Sequence, residues 1–157
     1  FVLIGNGPEE KKLYSLAKEL KVEEYVKFLG RIEHSKVYEI LENSDIFCAV
    51  SDYSNVVNPV FEAMSLGIPI IATTSSATEE FIINEETGVL VDENIVAKDL
   101  VEKILFLAEN FELRKKISKN CRDFMMNNFL NWEDRIQLEI DRIESILDYY
   151  QERKNNV

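Results

Sequence analysis

Short apolar runs alternate, from residue 1 to residue 91, with segments whose apolar side chains recur at helical spacing. Isolated runs of this length are typical of buried strands, and helical segments between them are typical of βαβ units. The alternation therefore predicts an α/β fold with a mostly parallel sheet flanked by helices. The predicted strands are 1–4, 26–29, 46–50, 68–72 and 89–91.

Proline and glycine mark where the predicted helices begin and end. Pro8 and Pro59 each suit the first position of a helix, where the missing amide hydrogen costs nothing. Gly67 is expected to end the second of these helices. The last 60 or so residues are helical by their period, and the final helix places Trp132 and a row of isoleucines on one face. The predicted helices are 8–20, 34–43, 59–66, 79–83, 96–108, 111–127 and 132–152.

Charge and cysteine content restrict the partners of the chain. The net charge is −11, from 29 acidic and 18 basic residues, which disfavours nucleic acid or an anionic membrane as the main partner. No Lys or Arg occurs between Lys36 and Lys98, so an anion bound there must be held by backbone amides or by cations from elsewhere. Cys48 and Cys121 lack the spacing of metal ligands, and we expect reduced thiols in a cytoplasmic protein with no membrane span.

Three loops follow predicted strands at the edge of the sheet where ligands of parallel sheets bind. The loop at 5–8 carries Gly5, Asn6 and Gly7, whose backbone either approaches a ligand closely or forms a tight turn without one. The loop at 30–34 offers Arg31, either as a ligand contact or as a solvated surface charge. The third loop, 51–59, leads into the helix predicted from Pro59.

Glu62 is a carboxylate within the almost apolar segment 60–64. If the helix begins at Pro59, the amides of Val60 and Phe61 are free to bind an anion such as a pyrophosphate. Glu62 would then lie in the first turn, where the helix dipole stabilises a negative charge and no ligand is needed. The alternative is a ribose-binding residue, since a carboxylate can accept hydrogen bonds from two hydroxyl groups.

Several motifs taken together are similar to one known family. They are Gly5-x-Gly7-Pro8, Val26-x-Phe28-Leu29-Gly30-Arg31, Asp45 before a strand, Asn58-Pro59-x-x-Glu62-Ala63-Met64, Gly67-x-Pro69-Ile70-Ile71-Ala72-Thr73 and Glu86-Thr87-Gly88-Val89-Leu90-Val91. Over about residues 1–125 the chain resembles the C-terminal, donor-binding domain of family 4 retaining glycosyltransferases of the GT-B fold. The resemblance implies a Rossmann-like domain at 1–130, with its first βα unit missing, and a helix at 131–157 that crosses back to an absent N-terminal acceptor domain.

The resemblance also implies what the domain binds. The donor would be a nucleoside-diphosphate sugar, bound without a metal or cofactor, from which a hexose is transferred with retention to a glycan, lipid or other acceptor. Glu62 would bind the ribose, and Gly30, Arg31 and Ile32 would meet the nucleobase. The sugar and pyrophosphate would lie against the loop and helix start formed by Ser54, Asn55, Val56, Val57, Asn58, Pro59 and Val60.

Ser54 departs from the family pattern. The resemblance places there the first acid of an E-x7-E motif, which touches the transferred sugar, so the identity of that sugar is open. The same departure favours a non-catalytic binding or regulatory module as an alternative function. A GT-B epimerase is a further alternative, although the only histidine, His34, stands at a helix start where surface capping explains it.

The cations and the acceptor domain of the family lie upstream of the first strand. Since Phe1 falls inside a predicted strand, we interpret the chain as a fragment that is inactive alone, and we predict no catalytic residue in it. A basic cluster in the helix 111–127 is interpreted either as a solvated face balanced by nearby acids or as a contact with lipid phosphate at the inner face of a membrane. The cluster comprises Arg114, Lys115, Lys116, Lys119 and Arg122.

Overall fold

The structure is a computed structural model that describes residues 1–50, 57–74, 78–92 and 94–155. Contacts between Cα atoms group the chain into Phe1–Ser44, here called unit 1, and Asp45–Val157, called unit 2. Each unit contains parallel strands and helices, which confirms the predicted α/β fold. The predicted domain boundary near residue 130 stays a prediction.

Unit 1 contains one parallel pair of short strands and two helices. Val2 lies opposite Lys27, and Leu3 lies opposite Phe28. Both strands were predicted, as was the helix that begins at His34. The elements are β1 (Val2–Leu3), α1 (Glu10–Glu19), β2 (Lys27–Phe28) and α2 (His34–Glu42).

The predicted role of Pro8 at the first position of α1 is wrong. The helix begins at Glu10, and Glu9 precedes it as the N-cap. A backbone hydrogen bond of 3.1 Å from the Glu10 amide to the Gly7 carbonyl makes a turn at this point. Pro8 therefore stiffens the turn that leads into the helix rather than the helix itself.

Unit 2 contains a three-stranded parallel sheet of order β3-β4-β5, with β4 in the centre. Ile71 on β4 lies opposite Cys48 on one side and Val89 on the other. The helices predicted from residue 96 onward are confirmed to within three residues at each end. The elements are β3 (Phe47–Ala49), α3 (Val57–Leu66), β4 (Ile70–Thr73), β5 (Val89–Val91), α4 (Ala97–Glu109), α5 (Phe111–Asn128) and α6 (Trp132–Asn155).

The helix predicted at 79–83 is wrong, because this segment forms turns. The Thr78 hydroxyl donates to the Thr73 carbonyl at 2.7 Å. The Thr87 hydroxyl accepts from the Ile83 amide and donates to the Phe81 carbonyl, each at 2.8 Å. The Thr87 hydroxyl thus gives the Ile83 amide and the Phe81 carbonyl the partners that a helical ladder would otherwise supply.

The apolar core of unit 2 lies between β4 and the helices α3 and α5. Ile70, Ile71 and Ala72 of β4 are completely buried, so this central strand is apolar on both faces, as expected of a covered parallel sheet. Helix α6 differs, since its apolar row remains half exposed. The row comprises Ile136, Ile140, Ile143 and Leu147, each between 42% and 57% exposed.

Candidate functional site

Helix α3 begins earlier than its proline suggests. It spans Val57–Leu66, so Pro59 is the third residue of the described helix rather than the first. In an α-helix each amide donates to the carbonyl four residues earlier, so the Phe61 amide donates to the Val57 carbonyl. The Phe61 amide therefore belongs to the helix, and the prediction that it is free for an anion is wrong. The amides left for a ligand in this stretch are those of Val57 and Asn58, because Pro59 has none.

The same shift changes the interpretation of Glu62. The first turn of α3 contains no acidic residue, and Glu62 is the sixth residue of the helix. The favourable effect of the helix dipole falls off within the first turn. The helix dipole therefore explains the presence of a carboxylate at position 62 only weakly. This strengthens the alternative that Glu62 binds a ligand.

Glu62 also lies on an informative face of α3. Val60, Ala63 and Met64 are completely buried and mark the side of the helix that packs on the core. At about 100° per residue, Glu62 points to the opposite side, yet its side chain is only partly exposed. A carboxylate that is away from the core but still half covered is well placed to receive hydroxyl groups from a ligand.

Unit 1 brings two of the predicted loops together. The Gly5 amide donates to the Gly30 carbonyl at 2.7 Å, which extends the β1–β2 pairing beyond the ends of both strands. Gly5 has a φ of 119° and Gly30 a φ of 60°, values that residues with a side chain rarely adopt. Asn6, Gly7 and Arg31 are exposed beside this joint, whereas Ile32 is partly covered. The loop predicted to let a ligand approach closely and the loop predicted to meet the nucleobase thus share one edge of unit 1.

The remaining predicted site residues belong to the loop before α3. Ser54, Asn55 and Val56 lie outside the described residues. Asn58 and Pro59 are exposed at the start of the helix. Val60 is completely buried, so its side chain does not face a ligand. The predicted roles of these residues stay predictions.

Helix α5 makes contacts that the sequence interpretation missed. Lys116 forms an ion pair of 2.7 Å with Glu86, and Asn120 donates to the Glu86 carbonyl at 3.0 Å. The Cys121 thiol donates to the Thr87 carbonyl at 2.9 Å, and Arg122 donates to the Leu66 carbonyl at 3.2 Å. The partners are 30 to 56 residues away in the chain, so no local spacing could have indicated them.

Both cysteines have raised thiol pKa values. Burial raises the pKa of Cys121 to about 12, although the positive charge of Arg122 acts in the opposite direction. Burial also raises the pKa of Cys48. These thiols are therefore protonated at neutral pH, and neither is suited to act as a nucleophile.

The described part of the chain has no group of three or more His, Cys, Asp or Glu side chains that could hold a metal ion. The predicted independence from metals stays a prediction. No helix within 1–50, 57–74, 78–92 and 94–155 is long and apolar enough to cross a membrane.

Comparison with known proteins decides the family. The family model described as glycosyl transferases group 1 matches residues 1–124. This chain belongs to that family. An uncharacterized glycosyltransferase of Haemophilus influenzae is 32% identical over 121 residues, which are 76% of this chain and 33% of that protein. The chain spans about a third of the length of the curated glycosyltransferases it matches.

Solved structures of glycosyltransferases confirm the fold as one half of a GT-B architecture. Sucrose-phosphate synthase from Thermosynechococcus elongatus has a TM-score of 0.79 and 26% identity, and the match covers 95% of this chain and 38% of the synthase chain. Anabaena HepE in complex with UDP-glucose has a TM-score of 0.79 and 21% identity, covering 92% of this chain and 40% of its own. At 21% identity, the similarity to HepE shows the fold alone.

Proposed function

We propose that this chain is the donor-binding half of a retaining glycosyltransferase that moves a hexose from a nucleoside-diphosphate sugar to a glycan, lipid or other acceptor. The observation that carries the proposal is the placement of Glu62, half covered in the second turn of α3 and directed away from the core. Membership of the glycosyl transferases group 1 family supports it. The UDP-glucose bound to HepE, a protein of the same fold, is consistent with such a donor.

The proposed roles follow from the chemistry of the donor. The Glu62 carboxylate accepts hydrogen bonds from the ribose hydroxyls, because an ionised carboxylate has only acceptor sites. The amides at the start of α3 receive pyrophosphate oxygens, and the helix dipole favours the negative charge there. Within unit 1, the backbone around Gly30 meets the nucleobase, and the loop of Gly5, Asn6 and Gly7 allows a ligand to approach its backbone closely.

Charge explains why the proposal includes a second half. Between Lys36 and Lys98 the chain has no Lys or Arg, and a pyrophosphate carries charge that amides alone neutralise incompletely. Cations from the proposed N-terminal acceptor domain complete the site. The chain alone is then inactive, and the whole enzyme acts in the cytoplasm, with the inner face of the membrane as a possible location when its acceptor is a lipid.

Calorimetry on the whole gene product tests the proposal. UDP, GDP and ADP are titrated, and one of them is expected to bind. For that nucleotide, Glu62→Gln should reduce affinity by about 1.5–3 kcal/mol, because the ribose loses a charged acceptor. Glu102→Gln, which neutralises an exposed carboxylate on α4, is the matched control and should leave affinity unchanged.

Three outcomes would contradict parts of the proposal. An unchanged affinity in Glu62→Gln would remove the ribose role. Binding of a nucleotide together with no transfer from any nucleotide sugar to any acceptor tried would favour a non-catalytic module, for which Ser54 in place of an acid is the argument. Transfer with inversion at the anomeric carbon would contradict the retaining mechanism.

A further inference from the structure

We propose that Arg122 is a positioning residue for Glu62, which it holds in place by fixing the C-terminal end of α3 against α5. The inference rests on the proposed function, since it concerns how the ribose-binding side chain is held. Arg122 lies on α5, 60 residues after Glu62 in the sequence, and acts through the backbone of α3.

The end of α3 leaves a carbonyl for Arg122. The Ile68 amide donates to the Ala63 carbonyl and the Gly67 amide donates to the Met64 carbonyl, each at 2.9 Å. This pair of hydrogen bonds is the Schellman arrangement, which satisfies two of the last carbonyls of a helix. The Leu66 carbonyl then accepts from the Arg122 guanidinium at 3.2 Å. A cation at this end is also favoured by the helix dipole.

Gly67 allows this contact by leaving space for it. A Cβ atom at Gly67 would lie 2.0 Å from Nη1 of Arg122 and 2.8 Å from the carbonyl oxygen of Ser118. Real Cβ atoms do not come this close to other atoms, so only glycine fits. The end of α3 therefore meets both a side chain and the backbone of α5, and any displacement of α5 here displaces α3.

The middle of α3 is fixed in a different way. The ring of Phe61 lies 4.8 Å from that of Phe81 and 4.6 Å from that of Phe129, measured between centroids. Together with the buried side of the helix, these rings oppose rotation of α3 about its axis. Arg122 supplies the contact at the end of the helix, where it opposes movement along the axis.

Small movements matter at Glu62 because hydrogen bonds require a narrow range of distance. Donor and acceptor atoms must lie roughly 2.5–3.2 Å apart, and the bond weakens steeply outside good geometry. A carboxylate that must receive two hydroxyl groups at once is more sensitive than one that receives a single group. The loss of Arg122 is therefore expected to weaken donor binding although Arg122 itself touches no donor.

The test is a double-mutant cycle in the whole gene product, measured as donor-nucleotide affinity by calorimetry. Arg122→Ala should weaken binding roughly threefold to tenfold, the range of one net hydrogen bond. In the Glu62→Gln background the same change should have less than about a twofold effect, because the group that it positions is gone. Lys119→Ala removes a cation from the same helix without touching α3 and should leave affinity unchanged.

Arg122→Lys separates positioning from folding. Lys keeps a charged donor, so Arg122→Lys should restore most of the affinity that Arg122→Ala loses. The thermal midpoints of both variants are compared with that of the wild type. Equal weakening by Arg122→Ala in both backgrounds, or no weakening at all, would overturn the inference and leave the proposed function standing. No effect of Glu62→Gln in the wild-type background would overturn both the inference and the ribose role of Glu62.

Discussion

Unit 1 and unit 2 contain the same kinds of element but differ in how they bury apolar side chains. Among the described residues, unit 1 buries only Ala17 and Leu41, whereas unit 2 buries thirteen apolar residues. In unit 1 large side chains stay exposed, including Tyr25 at 73% and Leu20 at 60%. A sheet of two short strands has little surface on which to bury them, and such pairs are marginal by themselves.

The difference bears on where each part of the candidate site is held. In unit 2, α3 is fixed by buried side chains, by aromatic contacts and by Arg122, so Glu62 has a rigid support. In unit 1, the joint between Gly5 and Gly30 is held by the backbone. A site that needs exact distances is better placed on the first kind of support, and local opening is expected to be easier in unit 1.

The largest difference between the two units is expected in the free energy of unfolding, when one isoleucine of each unit is truncated to alanine. Ile71→Ala in β4 removes a completely buried side chain and should lower the free energy of unfolding by about 2–5 kcal/mol. Ile4→Ala removes a side chain that is already 41% exposed in unit 1, and should cost about 1 kcal/mol or less.

Urea denaturation followed by circular dichroism measures both variants against the wild type. Equal losses of stability would contradict the comparison, because they would show that unit 1 encloses a core as dense as that of unit 2. A larger loss of stability in Ile4→Ala than in Ile71→Ala would reverse the comparison between the two units.

A second pair of substitutions compares two glycines with similar backbone conformations. Gly67 has a φ of 71° and Gly30 a φ of 60°, so alanine is strained by about 1–2 kcal/mol at either position. A Cβ at Gly30 meets no atom within 4 Å, whereas at Gly67 it meets Arg122 and Ser118. Gly67→Ala should therefore cost about 1–3 kcal/mol more than Gly30→Ala.

Thermal unfolding of the two variants measures this difference. If both alanines cost the same, α3 and α5 are not in close contact at Gly67, and the support proposed for Glu62 loses its basis.

The sequence predicted what local pattern determines. The five strands that the described residues form were all predicted, and so was the end of α3 at Gly67, because apolar runs and a glycine after a helical pattern are local signals. The helix predicted at 79–83 failed at its end, where the Thr87 hydroxyl supplies competing hydrogen bonds to the Ile83 amide and the Phe81 carbonyl.

The candidate site divides in the same way. Glu62 was found from its residue type in an apolar helix and from the family resemblance. Its support was not found, since Arg122 and Leu66 meet across 56 residues and the aromatic contacts of Phe61 join three separate segments. Such contacts depend on packing, which a single sequence does not display.

The smallest effect concerns pH and belongs to unit 2 alone, since unit 1 has no cysteine. Burial holds the pKa of Cys121 at about 12 in the folded chain, against 9.0 for a free thiol. As pH rises, the unfolded chain therefore loses the Cys121 proton before the folded chain does. The stability of the folded chain is unaffected by this thiol below about pH 9, and it falls progressively between about pH 9 and pH 12.

By pH 10 the loss is expected to be about 1 kcal/mol. Urea denaturation at pH 8 and pH 10 measures it, with Cys121→Ala as the control in which this part of the pH dependence should disappear. An identical pH dependence in wild type and Cys121→Ala would show that the thiol is not enclosed as described.

The most direct measurement of the central claim is whether Glu62 and the ribose hydroxyls interact with each other. Calorimetry on the whole gene product compares the best-binding nucleoside diphosphate with its 2′,3′-dideoxy form, in wild type and in Glu62→Gln. We predict that Glu62→Gln weakens binding of the ribose form by about 1.5–3 kcal/mol and of the dideoxy form by less than about 0.5 kcal/mol. The same loss for both nucleotides would contradict the account, because Glu62 would then act on the donor without touching its ribose.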